Sequence, residues 1–133
     1  MANILNEQLW NHLEFLGYKL ENLDGDKGNA ILATHGNKPS LALSIVDNII
    51  FISVRYDLGV DVPIGNLVVY VTRINSKTML TKWYCEENED KRFYLCIDTF
   101  VFGYEKQLFG YVLDVIEDEI NQNLPLLKGF LNL

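Results

Sequence analysis

The sequence predicts an α+β fold, an antiparallel sheet with helices packed against it. Three observations carry that prediction. Leucines recur at helical spacing near the N-terminus, short runs of strand-forming residues fill the middle, and a long amphipathic stretch with helical spacing lies near the C-terminus. The 133 residues are 49% hydrophobic and 22% charged, enough apolar material for one core in a single domain spanning residues 1–133.

Residues 3–16 read as the first helix, with Leu5, Leu9, Leu13 and Leu16 on one face and Gly17 as a left-handed stop. Trp10 lies beside this stripe, where it either seals the core edge or faces a partner. Tyr18–Leu23 is a weak extended piece, and Asp24–Asn29 is a cluster of turn formers. That cluster resembles a calcium loop only superficially. Lys27 places a cation inside the cage, Gly28 replaces an oxygen ligand, and His35 stands where a bidentate acid is required.

Ala30–His35 reads as a strand. Leu41–Val46 and Ile49–Tyr56 read as a hairpin, because Asp47 and Asn48 tolerate the positive φ of a two-residue turn. Both faces of Ile49–Tyr56 are largely apolar, which predicts a central strand covered on both sides. Pro63–Asn75 is ambiguous. Leu67–Thr72 has high strand propensity, yet Ile64, Leu67, Val68, Val71 and Ile74 also form a helical stripe behind Pro63 and Asp61.

Leu80–Glu86 and Arg92–Asp98 read as a hairpin with a charged tip, Glu87–Lys91. A helix follows near Glu105–Asn123, burying Leu108, Phe109, Val112, Leu113, Ile116 and Ile120 and turning Asp114, Glu117, Asp118 and Glu119 to water. Pro125 is expected to interrupt it or bend the chain. The tail with Leu126, Leu127, Phe130, Leu131 and Leu133 is too apolar to stay free, so it docks on its own core or on another subunit. The predicted order is helix, three or four strands, helix, two strands, helix.

Composition narrows the function. Eleven basic against eighteen acidic residues give a net charge of −7 and a pI near 4.7, which argues against a nucleic-acid or anionic-membrane surface. The sequence contains no apolar run of about 18 residues that would span a bilayer, and residues 1–7 lack the pattern of a signal peptide. The expectation is a cytoplasmic chain. Cys85 and Cys96 are too few for a disulfide scaffold and read as free, soft apolar residues.

His12 and His35 lack ligand spacing for a metal, and His12 reads as a surface residue. No nucleophile elbow, glycine-rich phosphate loop or Walker motif occurs. Accordingly no catalytic, cofactor or metal residue is nominated. Trp83, Tyr84, Phe93 and Tyr94 are read as cross-strand packing.

A family resemblance sharpens this reading. The stretch Leu43–Phe51, and more strongly Arg73-Ile74-Asn75-Ser76-Lys77-Thr78-Met79-Leu80-Thr81-Lys82, resembles the YbjN-like family of bacterial proteins, some of them labelled sensory transduction regulators. In that family a helix ends in an Ile-Asn pair, and a hairpin and a long final helix follow. The resemblance covers residues 40–124 and implies that Pro63–Asn75 is a helix. The family is similar in fold to type III secretion chaperones, small acidic homodimers of α-β-β-β-α-β-β-α order that hold an extended client segment.

What the resemblance implies is a non-enzymatic adaptor or chaperone-like homodimer with a protein partner or client. An apolar surplus at Trp10, Val101, Phe102, Phe130 and Leu131 supplies the candidate partner-binding residues. The alternatives are a small-ligand sensor or enzyme with a pocket between helix and sheet, using Tyr84, Tyr94, Asp98 and Arg73, and a structural subunit of a larger complex.

Overall fold

A computed structural model describes residues 2–25 and 29–133. The elements are α1 (Ala2–Phe15), β1 (Lys19–Asn22), β2 (Ala30–Thr34), β3 (Leu41–Val46), β4 (Ile49–Gly59), α2 (Ile64–Lys77), β5 (Lys82–Glu87), β6 (Phe93–Phe102) and α3 (Lys106–Leu131). The expected order holds, with four strands rather than three between α1 and α2. The turn expected over Asp24–Asn29 lies partly outside the described residues.

The strands form one antiparallel sheet in the order β1-β2-β3-β4-β6-β5. Successive side chains on a strand point to opposite faces. One face carries Ile31, Ala33, Leu41, Leu43, Ile45, Ile50, Ile52, Val54, Leu95, Ile97 and Val101, all buried in a single core with residues of the three helices. β4 is central, as its sequence predicts, but it is not covered on both sides. Phe51, Arg55 and Asp57 face away from the helices and are exposed. Apolar composition on both faces signals a buried strand only when a second layer exists.

The local chemistry explains the joints. Asp47 adopts φ 56°, as the two-residue turn between β3 and β4 requires. Gly17 adopts φ 95° at the end of α1, and a Cβ there would meet His35 Nε2 at 3.1 Å. α2 forms where the strand reading competed, with Pro63 at its N-cap and Leu67, Val71 and Ile74 buried. Ile64 and Val68, expected in the same stripe, are exposed, because the buried face is narrower than the apolar one.

α3 runs 26 residues, about 39 Å at 1.5 Å per residue. Pro125 neither ends nor replaces it: the proline cannot donate to the Asn121 carbonyl, but both residues face water, which can serve that carbonyl instead. The stripe beyond it continues through Leu127 and Leu131, which are buried in the chain's own core. Asn132, in the left-handed region, and Leu133 then donate to the last carbonyls and close the helix.

Two polar side chains tie the helices to β5 and to the turn that precedes it. Asn75 at the end of α2 donates through Nδ2 to the Trp83 carbonyl and accepts from the Trp83 N–H, both at 2.8 Å. Its side-chain amide therefore takes the place of a neighbouring strand along the outer edge of β5. Glu119, expected on the wet side of α3, is buried: Oε1 accepts from Leu80 N–H at 3.1 Å and Oε2 from the Thr81 hydroxyl at 2.8 Å. Thr81 Oγ1 in turn accepts from the indole N–H of buried Trp83.

His12 is not a surface residue. It lies half-buried between α1 and α3, with Nδ1 2.8 Å from the Tyr104 hydroxyl and its ring edge-on to Phe109.

Asn75→Ala leaves the Trp83 N–H and C=O to water at a partly open edge. A loss of about 1–2 kcal/mol is expected in urea unfolding; an unchanged midpoint would contradict the edge-capping role. His12 is held below its ordinary pKa of 6.5 by burial and, secondarily, by the Lys106 charge. The unfolded chain therefore takes up a proton near pH 6.5 that the folded chain resists, so stability falls as pH drops from about 7 to about 5.5. His12→Gln is expected to flatten that slope, and equal slopes in both proteins would refute it.

Candidate functional site

The face of the sheet that no helix covers is built by strand alternation. Register places Val46, Ile49, Phe51, Ser53, Arg55 and Asp57 on it from β3 and β4, opposite Phe102, Phe100, Asp98, Cys96 and Tyr94 of β6, with Lys82, Tyr84 and Glu86 of β5 beyond. It divides into an aromatic end and a polar end.

At the aromatic end Phe51, Phe100 and Phe102 are 41%, 51% and 71% exposed. Their rings touch in series, 6.1 Å from Phe51 to Phe100 and 5.5 Å from Phe100 to Phe102. Large apolar side chains grouped in water mark a contact surface, whereas isolated ones need no explanation.

At the polar end the groups satisfy one another. The Ser53 and Tyr84 hydroxyls donate to the two oxygens of Asp98, each at 2.6 Å. Tyr84 is pushed well above its ordinary pKa, chiefly because ionisation would forfeit that hydrogen bond, and then by burial and the Asp98 charge. Arg55 pairs with Glu86 at 3.2 Å and lies 4.2 Å over the Tyr94 ring. A carboxylate that accepts two hydroxyl protons here orders the sheet surface.

Two concavities share Leu80, the first of them at the margin of this face. One, about 270 Å³, is walled by Phe51, Leu80, Phe100 and Thr99 with Lys82 and Asp98 at its rim. The other, about 280 Å³, lies between the α2–β5 turn and α3, walled by Met79, Leu80, Tyr111 and Val115, with Lys77 and Gln122 contributing polar groups. Met79 is 92% exposed beside it.

The five residues singled out in the sequence do not form one surface. Phe102 lies in the aromatic cluster. Val101 points to the opposite face and is buried in the core, as is Leu131. Trp10 is half-buried against that core. Phe130 is exposed but lies on the helical side, stacked 4.8 Å from Tyr70. Val101 and Leu131 are therefore covered by this chain itself.

Phe51 and Phe100 were the residues missed. The signal that could have found them is alternation: extending β6 to residue 102 puts Phe100 and Phe102 on one face and Val101 on the other. Of the polar set, Tyr84, Tyr94 and Asp98 share the open face, whereas Arg73 stands exposed on α2.

Cys85 opposes Leu95 and Cys96 opposes Tyr84, so the two thiols lie on opposite faces of the sheet. Both are free. Burial raises the Cys85 pKa, and burial followed by the Glu86 charge carries Cys96 up to about 11. Among the described residues no group of three or more His, Cys, Asp and Glu is placed to hold a metal ion, and no helix is long and apolar enough to cross a membrane. At pH 8 both thiols are expected to react with Ellman's reagent more than about tenfold slower in the folded chain than in urea. Equal rates would contradict the buried, protonated state.

In sequence, no protein-family model and no curated protein matches the chain. In structure, likenesses are clear. YbjN from E. coli, described as a candidate transcription regulator, superposes with a TM-score of 0.66 at 17% identity over 88% of this chain and 91% of its own. An uncharacterised protein from Methanothermobacter thermautotrophicus gives 0.67 at 11% identity over 95% and 98%. A chain of the heterodimeric ExoU-SpcU complex from the type III secretion system of Pseudomonas aeruginosa gives 0.53 at 16% identity over 90% and 97%. The three helices and six-stranded antiparallel sheet described above are thus a YbjN-like, type III secretion chaperone-like α+β fold.

Proposed function

We propose that this chain is a non-enzymatic, chaperone-like adaptor of the cytoplasm that pairs with itself and holds a segment of a partner polypeptide. The observation that carries the reading is the exposed aromatic cluster of Phe51, Phe100 and Phe102 on a sheet face left without a helix. Apolar area of this kind is stabilised by contact with another apolar surface, at about 25 cal/mol per Å².

The likeness to a chain of the ExoU-SpcU complex supports a protein partner by fold analogy. The cleft between Met79 and Tyr111 is the place for the held segment. It is concave and mostly apolar, and it carries a few polar groups that can fix a peptide backbone.

The test is affinity capture from the cells of origin with the native chain and with Tyr111→Asp, a change at an exposed position. The reading expects one or more polypeptides retained by the native chain and lost from the variant, with circular dichroism unchanged. Identical sets from both proteins would overturn the assignment of the cleft.

The cavity beside Asp98 and Lys82 favours a second reading, a small-ligand sensor, because an aromatic wall adjoins one anion and one cation there. A thermal-shift screen of metabolites would support that reading if one compound raised the melting temperature in native protein but not in Asp98→Asn.

A further inference from the structure

We infer that the open face of the sheet is where two copies of this chain meet, sheet against sheet about a two-fold axis. This rests on the self-pairing in the reading above and assigns it a surface.

Charge separates this face from the rest of the molecule. The charged strand residues that point onto it are Lys19, Arg55 and Lys82 against Glu21, Asp57, Glu86 and Asp98. Three cations and four anions leave a balance of −1, while the whole chain carries −7. Subtracting the one from the other leaves −6 on everything else. Two identical molecules approaching by the acidic sides, such as the outer face of α3 with Asp114, Glu117 and Asp118, bring like charge together, which costs association free energy. A symmetric contact requires a surface compatible with itself, and the sheet face is the nearly neutral one.

Four of the seven charges on that face are already answered within the chain. Arg55 meets Glu86 at 3.2 Å, Arg92 meets Asp57 at 2.9 Å, and Asp98 accepts from two hydroxyls. Burying these groups under a second sheet leaves few of them without a partner, so the desolvation penalty is contained.

Size and composition agree. Six strands at about 4.8 Å spacing, taken along about six residues each, span about 29 by 20 Å before side chains corrugate the surface. That approaches the roughly 800 Å² per partner of a stable interface. Phe51, Phe100 and Phe102, with exposed Val46 beside them, supply at one end of the face the apolar area that such an interface needs, and the polar end adjoins it.

The experiment is size-exclusion chromatography with light scattering on the full chain at tens of micromolar. Native protein is expected at twice the 15.3 kDa chain mass. Phe100→Glu and Phe102→Glu, both at exposed positions, are each expected to raise the dissociation constant at least about 100-fold and give the monomer with unchanged circular dichroism. If one of them fails to fold, the other decides. Val69→Glu, on the exposed apolar side of α2, is expected to leave the dimer intact.

A dimer that survives both phenylalanine changes, or that Val69→Glu dissociates, would overturn the assignment of the face. A monomeric native chain would overturn self-pairing altogether, while the cleft between Met79 and Tyr111 would still stand or fall by the capture experiment.

Discussion

The strand period of two, imposed on a sheet whose helices all pack on one side, governs the rest of this structure. Every residue of β4 and β6 that turns Ile50, Ile52, Ile97 and Val101 into the core sends its neighbour to the other face. The helices supply one apolar layer, not two. Apolar side chains on the far face are covered only by their neighbours on the sheet, as Cys96 is, or else remain in water. Phe51, Phe100 and Phe102 are the large ones that remain in water, grouped at one end of the face.

The helical side is closed by a few polar contacts placed where helix meets strand. Asn75 completes the outer edge of β5, and Glu119 anchors the α2–β5 turn to α3. These contacts also account for the Ile74-Asn75 pair that carries the resemblance to the YbjN-like family. Ile74 is buried under the helix and Asn75 serves the adjacent strand. With that edge occupied at Trp83, β5 is a poor template for strand addition there.

Much of this architecture was legible from residue spacing. α1, the β3–β4 hairpin, the β5–β6 hairpin and the start of α3 follow directly from periodicity and turn chemistry. What was not legible depended on tertiary context. Pro125 tolerates a helix because the carbonyl it deprives faces water. Glu119 sits among acids that do face water, and only the proximity of Leu80 and Thr81, 39 and 38 positions away, makes it a buried anchor. Of the exposed aromatic cluster only Phe102 is singled out by the sequence, and apolar character alone could not separate it from Val101, one position away on the opposite face.

A nearly charge-balanced sheet face with an aromatic end thus belongs to a molecule whose remaining charge is acidic in sum, and the proposed self-pairing places a second copy on that face. Hydroxyl-radical footprinting read by mass spectrometry across a concentration series tests that claim most directly. The account predicts that Phe51, Phe100 and Phe102 lose oxidation as concentration rises, while exposed Phe15 on α1 stays equally labelled throughout. Constant oxidation of the three phenylalanines at every concentration would contradict it.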